Sequence, residues 1–260
     1  MKTLLIDNVS KNFGGFQVLK EILINLEEGA RLAIIGPNGA GKTTLINLIS
    51  GVLKPSSGKI FLLGKDVTQL PPYLRSRMGL SRTFQILNLF PKLTVIESLL
   101  ISAMPLKANQ LSLLRPIRTF KHLYEISQRL MEEMGLREKK DMIISNLSHG
   151  EQKLVEIAMS LSQAPKLMLL DEPMAGLSTG EVALISSAIR SLPLNVSVII
   201  VEHNVDAALE LAEHVVVFNQ GMILAEGSPD EIRKEPKVRE VYLGTEESWK
   251  AWRDFRSRRD

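Results

Sequence analysis

The run Gly36 to Thr44, GPNGAGKTT, constrains this chain more than any other feature. It follows an apolar stretch, RLAII, and leads into a helical pattern, KTTLINLIS, closed by Gly51. The pattern G-x-x-x-x-G-K-[ST] is met without a mismatch, between a strand and a helix as a phosphate-binding loop requires. The alternative is a Gly-rich turn that merely caps a helix, and the matched motif and context argue against it. The glycines Gly36, Gly39 and Gly41 let the backbone turn tightly, so Pro37, Asn38 and Ala40 are carried around a concavity of N–H groups. Lys42 places a point charge near the β- and γ-phosphates of a nucleotide. The Thr43 hydroxyl is a ligand for Mg²⁺, and Thr44 donates to a phosphate oxygen. The chain is therefore expected to bind a nucleoside triphosphate with Mg²⁺, though such a loop is shared by kinases, GTPases, helicases and transport ATPases and leaves the class open.

A second feature narrows the chemistry. KLMLLDEP, Lys166 to Pro173, reads as a buried strand that ends in two acids. In an open α/β sheet the carboxyl ends of strands line the ligand crevice. Asp171 at that edge is expected to hold Mg²⁺, directly or through water. Glu172 points elsewhere and suits a general base for the attacking water. An acid pair in a surface turn is the plainer reading, made poor by the preceding phosphate loop.

A third feature is LSHGEQ, Leu147 to Gln152, which opens an amphipathic pattern, EQKLVEIAMSLS. A helix start offers unpaired N–H groups and a positive dipole end, which suits an anion. It is a second such place, about a hundred residues beyond the first.

Around these motifs, short apolar runs alternate with helical patterns. TLLIDNVS and VLKEILINLEEG read as antiparallel strands, and RLAII, KLMLLDE and VSVIIVEH as buried parallel ones. HVVVFNQ and GMILAEG are two further strands. From Thr94 to about Arg137 the pattern is mostly helical, interrupted by the less regular PLKANQLSLLRPIRTF. The fold class is α/β, with a parallel sheet covered by helices, an antiparallel β portion and an inserted helical lobe. We expect one domain over 1–260, with 1–93 and 160–244 as the core, 94–159 as the lobe, and 245–260 as a charged tail. There is no cysteine, so neither a disulfide nor a thiolate metal site is available. No run approaches the roughly 18 apolar residues of a membrane span. The N-terminus lacks a secretory leader's apolar core. A formal charge of +3 argues neither for nor against nucleic acid.

Taken together, these motifs resemble the nucleotide-binding subunit of an ABC transporter, over roughly Leu4 to Gly244. LSHGEQ stands where that family has its signature, just before the strand ending in Asp-Glu. Gln85 in RTFQ resembles the glutamine loop, AGLS (Ala175 to Ser178) the loop that meets the other subunit, and His203 the switch histidine. Phe13 in KNFGG resembles the aromatic that stacks on adenine. His149 and Glu151 depart from the usual Gly and Gln, and Ser178 stands where the family often has Asp. The resemblance implies an ABC-type P-loop ATPase. Glu172, His203, Gln85 and Lys42 are then catalytic, and Thr43, Gln85 and Asp171 serve Mg²⁺. Ser148 and Gly150 reach the ATP held by a partner chain, a second copy or a paralogue. Two membrane permeases and, through them, a substrate-binding protein are implied, but no nucleic acid. The chain is then expected in the cytoplasm, peripheral on the inner face of the membrane. SRTFQILNLFPKLTVIESLL, VEHNVDAALELAEHVVVFNQGMILAEGSPDEI and EPKVREVYLG resemble the ATPases of branched-chain amino acid uptake and their urea and amide relatives. The lipopolysaccharide-export ATPase is the runner-up, which as a rule lacks the insertion around QLSLLRPIRTF.

Overall fold

In the computed structural model, which describes residues 2–83, 89–104 and 121–243, two long antiparallel strands come first. These are β1 (Lys2–Phe13) and β2 (Phe16–Glu27), as their alternating patterns predict. Next come β3 (Arg31–Ile35) and helix α1 (Lys42–Ser50), which ends at Gly51 with φ at 83°. That left-handed cap is open to glycine at no steric cost. β4 (Ser57–Leu62) and the short β5 (Lys65–Asp66) complete a four-stranded antiparallel sheet in the order β2-β1-β4-β5.

A short helix, α2 (Pro72–Arg77), precedes β6 (Leu80–Arg82). Arg75 of α2 has no exposed surface. Its guanidinium donates to the carbonyls of Leu48 and Ile49 at 2.7 and 2.8 Å, to Leu70 at 3.0 Å and to Thr68 at 3.2 Å. A cation thus closes the C-terminal end of α1, where the helix leaves carbonyls unpaired.

Three helices, α3 (Val95–Ser102), α4 (Lys121–Glu133) and α5 (His149–Leu161), pack on one another within the stretch expected to form the lobe. Then β7 (Leu167–Asp171), α6 (Thr179–Arg190), β8 (Ser197–Val201) and α7 (Val205–Leu211) alternate. β9 (His214–Asn219), β10 (Met222–Gly227), α8 (Pro229–Lys234) and α9 (Pro236–Leu243) follow. The second sheet has six strands in the order β10-β9-β3-β8-β7-β6, parallel except for the β9–β10 edge pair.

The central strands separate two cores. Met168 and Leu170 of β7 face the helices α3, α5 and α6, while Leu167 and Leu169 face α1 and the antiparallel sheet. Alternation at period two on a strand buried on both faces explains why the sequence there is continuously apolar. A smaller core joins β3 and β9 to α7, α8 and α9. The insertion Pro105 to Phe120, the tail 245–260 and Gln85 lie outside the described residues.

Candidate functional site

β3 delivers the chain into the loop at Gly36. A side-chain carbon on Gly36 would stand 2.4 Å from the Phe218 carbonyl oxygen of β9, so only glycine permits this approach. The Ala40 N–H donates to the Pro37 carbonyl at 3.2 Å, and the Gly221 N–H to the Ala40 carbonyl at 3.1 Å. The second bond fastens the loop to the β9–β10 turn. Gly41 begins α1 with φ at 106°, and no side chain caps the helix there. By contrast α3, α5, α6 and α8 each carry a complete capping box. No side chain occupies the first amides of α1, and a helix start of that kind suits an anion.

Lys42 is buried, and its Nζ donates to the carbonyls of Gly36 at 2.6 Å and Pro37 at 3.1 Å. Those bonds fold the ammonium back over the loop. Burial lowers its pKa, and the nearby Glu172 and Asp171 carboxylates oppose that effect. Thr43 is exposed and Thr44 half-buried at the helix start.

Asp171 and Glu172 end β7, both buried. Asp171 Oδ2 accepts from Arg82 Nη2 at 3.0 Å, and Arg82 Nη1 donates to Asn47 Oδ1 at 2.7 Å and Ser50 Oγ at 3.1 Å. One guanidinium therefore ties the strand-ending acid to the polar side of α1. Glu172 has φ at 50°, in the left-handed region that a β-unbranched side chain enters only at some cost. Its Oε1 lies 2.5 Å from His203 Nε2. Behind the pair, buried Glu202 accepts the N–H groups of Met174 at 2.9 Å and His203 at 3.2 Å. Burial pushes the Glu202 carboxyl up, against the pull of those amides.

Ser148 caps α5. Its Oγ accepts the Glu151 N–H, and Glu151 Oε2 accepts the Ser148 N–H at 2.9 Å. Glu151 Oε1 is held by Lys139 Nζ at 2.8 Å. The Ser148 hydroxyl and the Gly150 N–H both donate to Glu181 Oε1, at 3.1 and 2.9 Å. Those contacts and the Ser178 donors pull the Glu181 carboxyl down to about 2, the Gly150 N–H contributing most. His149 lies over Gly176, where a side-chain carbon would stand 3.5 Å from its Cε1. Phe13, at the β1–β2 turn, is half exposed, with Lys11 Nζ 4.9 Å from its ring centroid.

Comparison with known proteins agrees with this geometry. The ABC transporter family profile matches residues 19–175. The chain belongs to the ABC transporter family. A second profile, branched-chain amino acid ATP-binding cassette transporter, matches residues 222–248 of this ABC cassette. It is 38% identical to a probable branched-chain amino acid transport ATP-binding protein, LivG, of Archaeoglobus fulgidus, covering 95% of this chain and 98% of the relative. It is 35% identical to the high-affinity branched-chain amino acid transport ATP-binding protein BraF of Pseudomonas aeruginosa, covering 92% and 96%. Among solved structures it resembles the ADP conformation of MJ1267, an ATP-binding cassette of an ABC transporter. The TM-score there is 0.83 at 34% identity, over 94% of this chain and 100% of the other. The cassette is an ATPase of the α/β class expected from its motifs. The lipopolysaccharide-export alternative is not favoured by these relatives.

In this ABC cassette the loop, Lys42, Asp171 and Glu172 converge at the carboxyl edge of the parallel sheet, with His203 joined to Glu172. Ser148 and Gly150 lie at another helix start, paired with Glu181 instead. Sequence reasoning missed Arg82, Glu181 and Glu202. Arg82 and Glu202 carried a usable signal, a charge inside or directly after a strand pattern. Glu181 was visible only as the last residue of an S-x-x-E cap, Ser178 to Glu181.

Proposed function

We propose that this chain powers the import of branched-chain amino acids or related small polar solutes, by ATP hydrolysis at two sites shared between paired cassettes. Each cassette supplies the loop Gly36 to Gly41, with Lys42, Thr43 and Thr44, to its own ATP, and Phe13 to the adenine. Each supplies Ser148 and Gly150 to the ATP of its partner, a second copy or a paralogue. Lys42 counters the β- and γ-phosphate charge. Glu172 accepts a proton from the water that attacks the γ-phosphorus. ADP leaves as the terminal P–O bond breaks, and inorganic phosphate remains.

His203 holds the Glu172 carboxylate in place through the 2.5 Å contact and stands beside the departing phosphate. Thr43 and Asp171, with Gln85, form the hard-oxygen set that suits Mg²⁺ shared with phosphates and water. When bound, that ion offsets phosphate charge as the bond breaks. Asp171 Oδ2 is engaged by Arg82, which leaves its other oxygen for this role.

Two permease subunits, and through them a substrate-binding protein, would receive the stroke on the inner face of the membrane. No helix among the described residues is long and apolar enough to cross a bilayer.

The observation that carries this reading is the buried Glu172, strained in backbone and bonded to His203, beside a buried Lys42 and an uncapped α1. Glu172→Gln tests it: the variant should bind ATP, hydrolyse it at least a hundredfold more slowly, at about the scale of losing a general base, and accumulate as a dimer. Normal turnover would remove Glu172 from the role.

A further inference from the structure

Glu181 of α6 is half-buried, and its carboxylate reaches across to the α5 start. Its Oε1 accepts both the Gly150 N–H at 2.9 Å and the Ser148 hydroxyl at 3.1 Å. Its Oε2 accepts the Ser178 N–H at 3.1 Å and the Ser178 hydroxyl at 2.8 Å. The two oxygens thus serve two helix starts, one each. Contact with α5 depends on the missing side chain at position 150, where a carbon would stand 2.8 Å from Glu181 Cγ. The other acid at this helix start, Glu151, is engaged elsewhere: its Oε2 accepts the Ser148 backbone N–H at 2.9 Å and its Oε1 is held by Lys139 at 2.8 Å, so neither oxygen takes the Ser148 hydroxyl proton or the Gly150 N–H.

A phosphate oxygen and a carboxylate oxygen ask for the same donors, and two anions cannot share them at close range. We propose that Glu181 is a positioning residue for the cross-subunit phosphate contact: its carboxylate holds Ser148 and Gly150 in the free subunit and must withdraw before they can take the partner's nucleotide. This rests on the assignment of Ser148 and Gly150 to the partner's ATP. The donors are kept oriented while the cassette is alone, and closure is opposed until a triphosphate outcompetes the carboxylate. Oε2 keeps its own donors on Ser178, so the side chain stays anchored to α6 when Oε1 leaves. The device acts on the equilibrium between separate and paired cassettes and leaves nucleotide binding to the single chain untouched.

The test uses the full chain carrying Glu172→Gln, so that ATP-bound dimers persist. The measured quantity is the ATP concentration that dimerises half the protein, followed by light scattering. Glu181→Gln, which keeps an acceptor for the α6 cap but removes the charge, should lower that midpoint by about three- to tenfold. Glu181→Asp keeps the charge on a shorter arm that withdraws from Gly150, and should lower it in the same direction. ATP affinity of dilute, monomeric protein should be equal in all three. An unchanged or raised midpoint for Glu181→Gln overturns the proposal. So does a lowered midpoint for Gln alone with Asp like the parent, since general repulsion would then explain it. Ser148→Arg in the same background separates the premise: if it dimerises normally with ATP, the cross-subunit assignment is wrong, however the Glu181 variants behave.

Discussion

Replacing Arg75 by Met probes how the phosphate-loop helix is held from behind. Met keeps much of the side chain's volume and removes every donor. The Leu48 carbonyl keeps the Gly51 N–H at 3.2 Å, but the carbonyls of Ile49, Thr68 and Leu70 lose the guanidinium. A buried acceptor deprived of its partner costs about 1–3 kcal/mol. Against that, burial holds the Arg75 guanidinium down at about 10, from 12.5, and Met is spared that desolvation, about 3 kcal/mol. The net expectation is a loss of about 3 kcal/mol. At roughly 2.1 cal/mol/K of unfolding entropy per residue over 260 residues, Tm should fall by about 5 °C. Calorimetry without nucleotide measures it. Because α1 has nine residues, its nucleotide end lies about 13 Å away, and KM for ATP well below Tm should be unchanged. Arg75→Lys should recover part of the stability. A Tm within about 1 °C of the parent would refute the view that this cation stabilises the end of α1.

Lys42→Ala should weaken ATP binding at least tenfold, because a buried counter-charge to the triphosphate is lost; equilibrium dialysis reads it, and unchanged affinity refutes the role. Gly36→Ala should destabilise the chain by about 2–4 kcal/mol and impair nucleotide binding, since the new carbon meets the Phe218 carbonyl oxygen at 2.4 Å. Denaturant titration distinguishes this from a harmless change. Glu181 has a folded pKa of about 2 against a usual 4.5, so the native state binds fewer protons at this group. Its contribution to stability is complete above about pH 4.5 and is lost as pH falls toward 2. Glu181→Gln should therefore show a shallower acid limb in that window, and an identical limb would count against the contact.

The parts of the site built from neighbours in sequence were the legible ones. The run from Arg31 to Ser50 announces strand, loop and helix, and the helix ends at the Gly51 the pattern indicated. Continuous apolarity in β7 and β8 matched burial on both faces. What escaped depends on distance along the chain. Arg82 meets Asp171 across 89 positions, and Arg75 meets Leu48 across 27; no local pattern encodes either pairing. The S-x-x-E pattern at Ser178 signals a cap, but nothing nearby says that the same carboxylate reaches Gly150 from another helix. The helices α2 and α8 went unread because each is only six residues long, although Pro72 and Pro229 at their starts were signals.

β7 has side chains committed alternately to opposite cores, and this limits how force can reach its acidic tip. Sliding by a single residue, about 3.3 Å, would swap Met168 and Leu170 with Leu167 and Leu169 and place each in a space shaped for another. The strand is keyed like a splined shaft: pressure from the lobe can tilt or twist it, but cannot make it travel. Asp171 and Glu172 are thereby carried as a rigid terminus, and any signal they receive from a distant partner arrives as a change of angle.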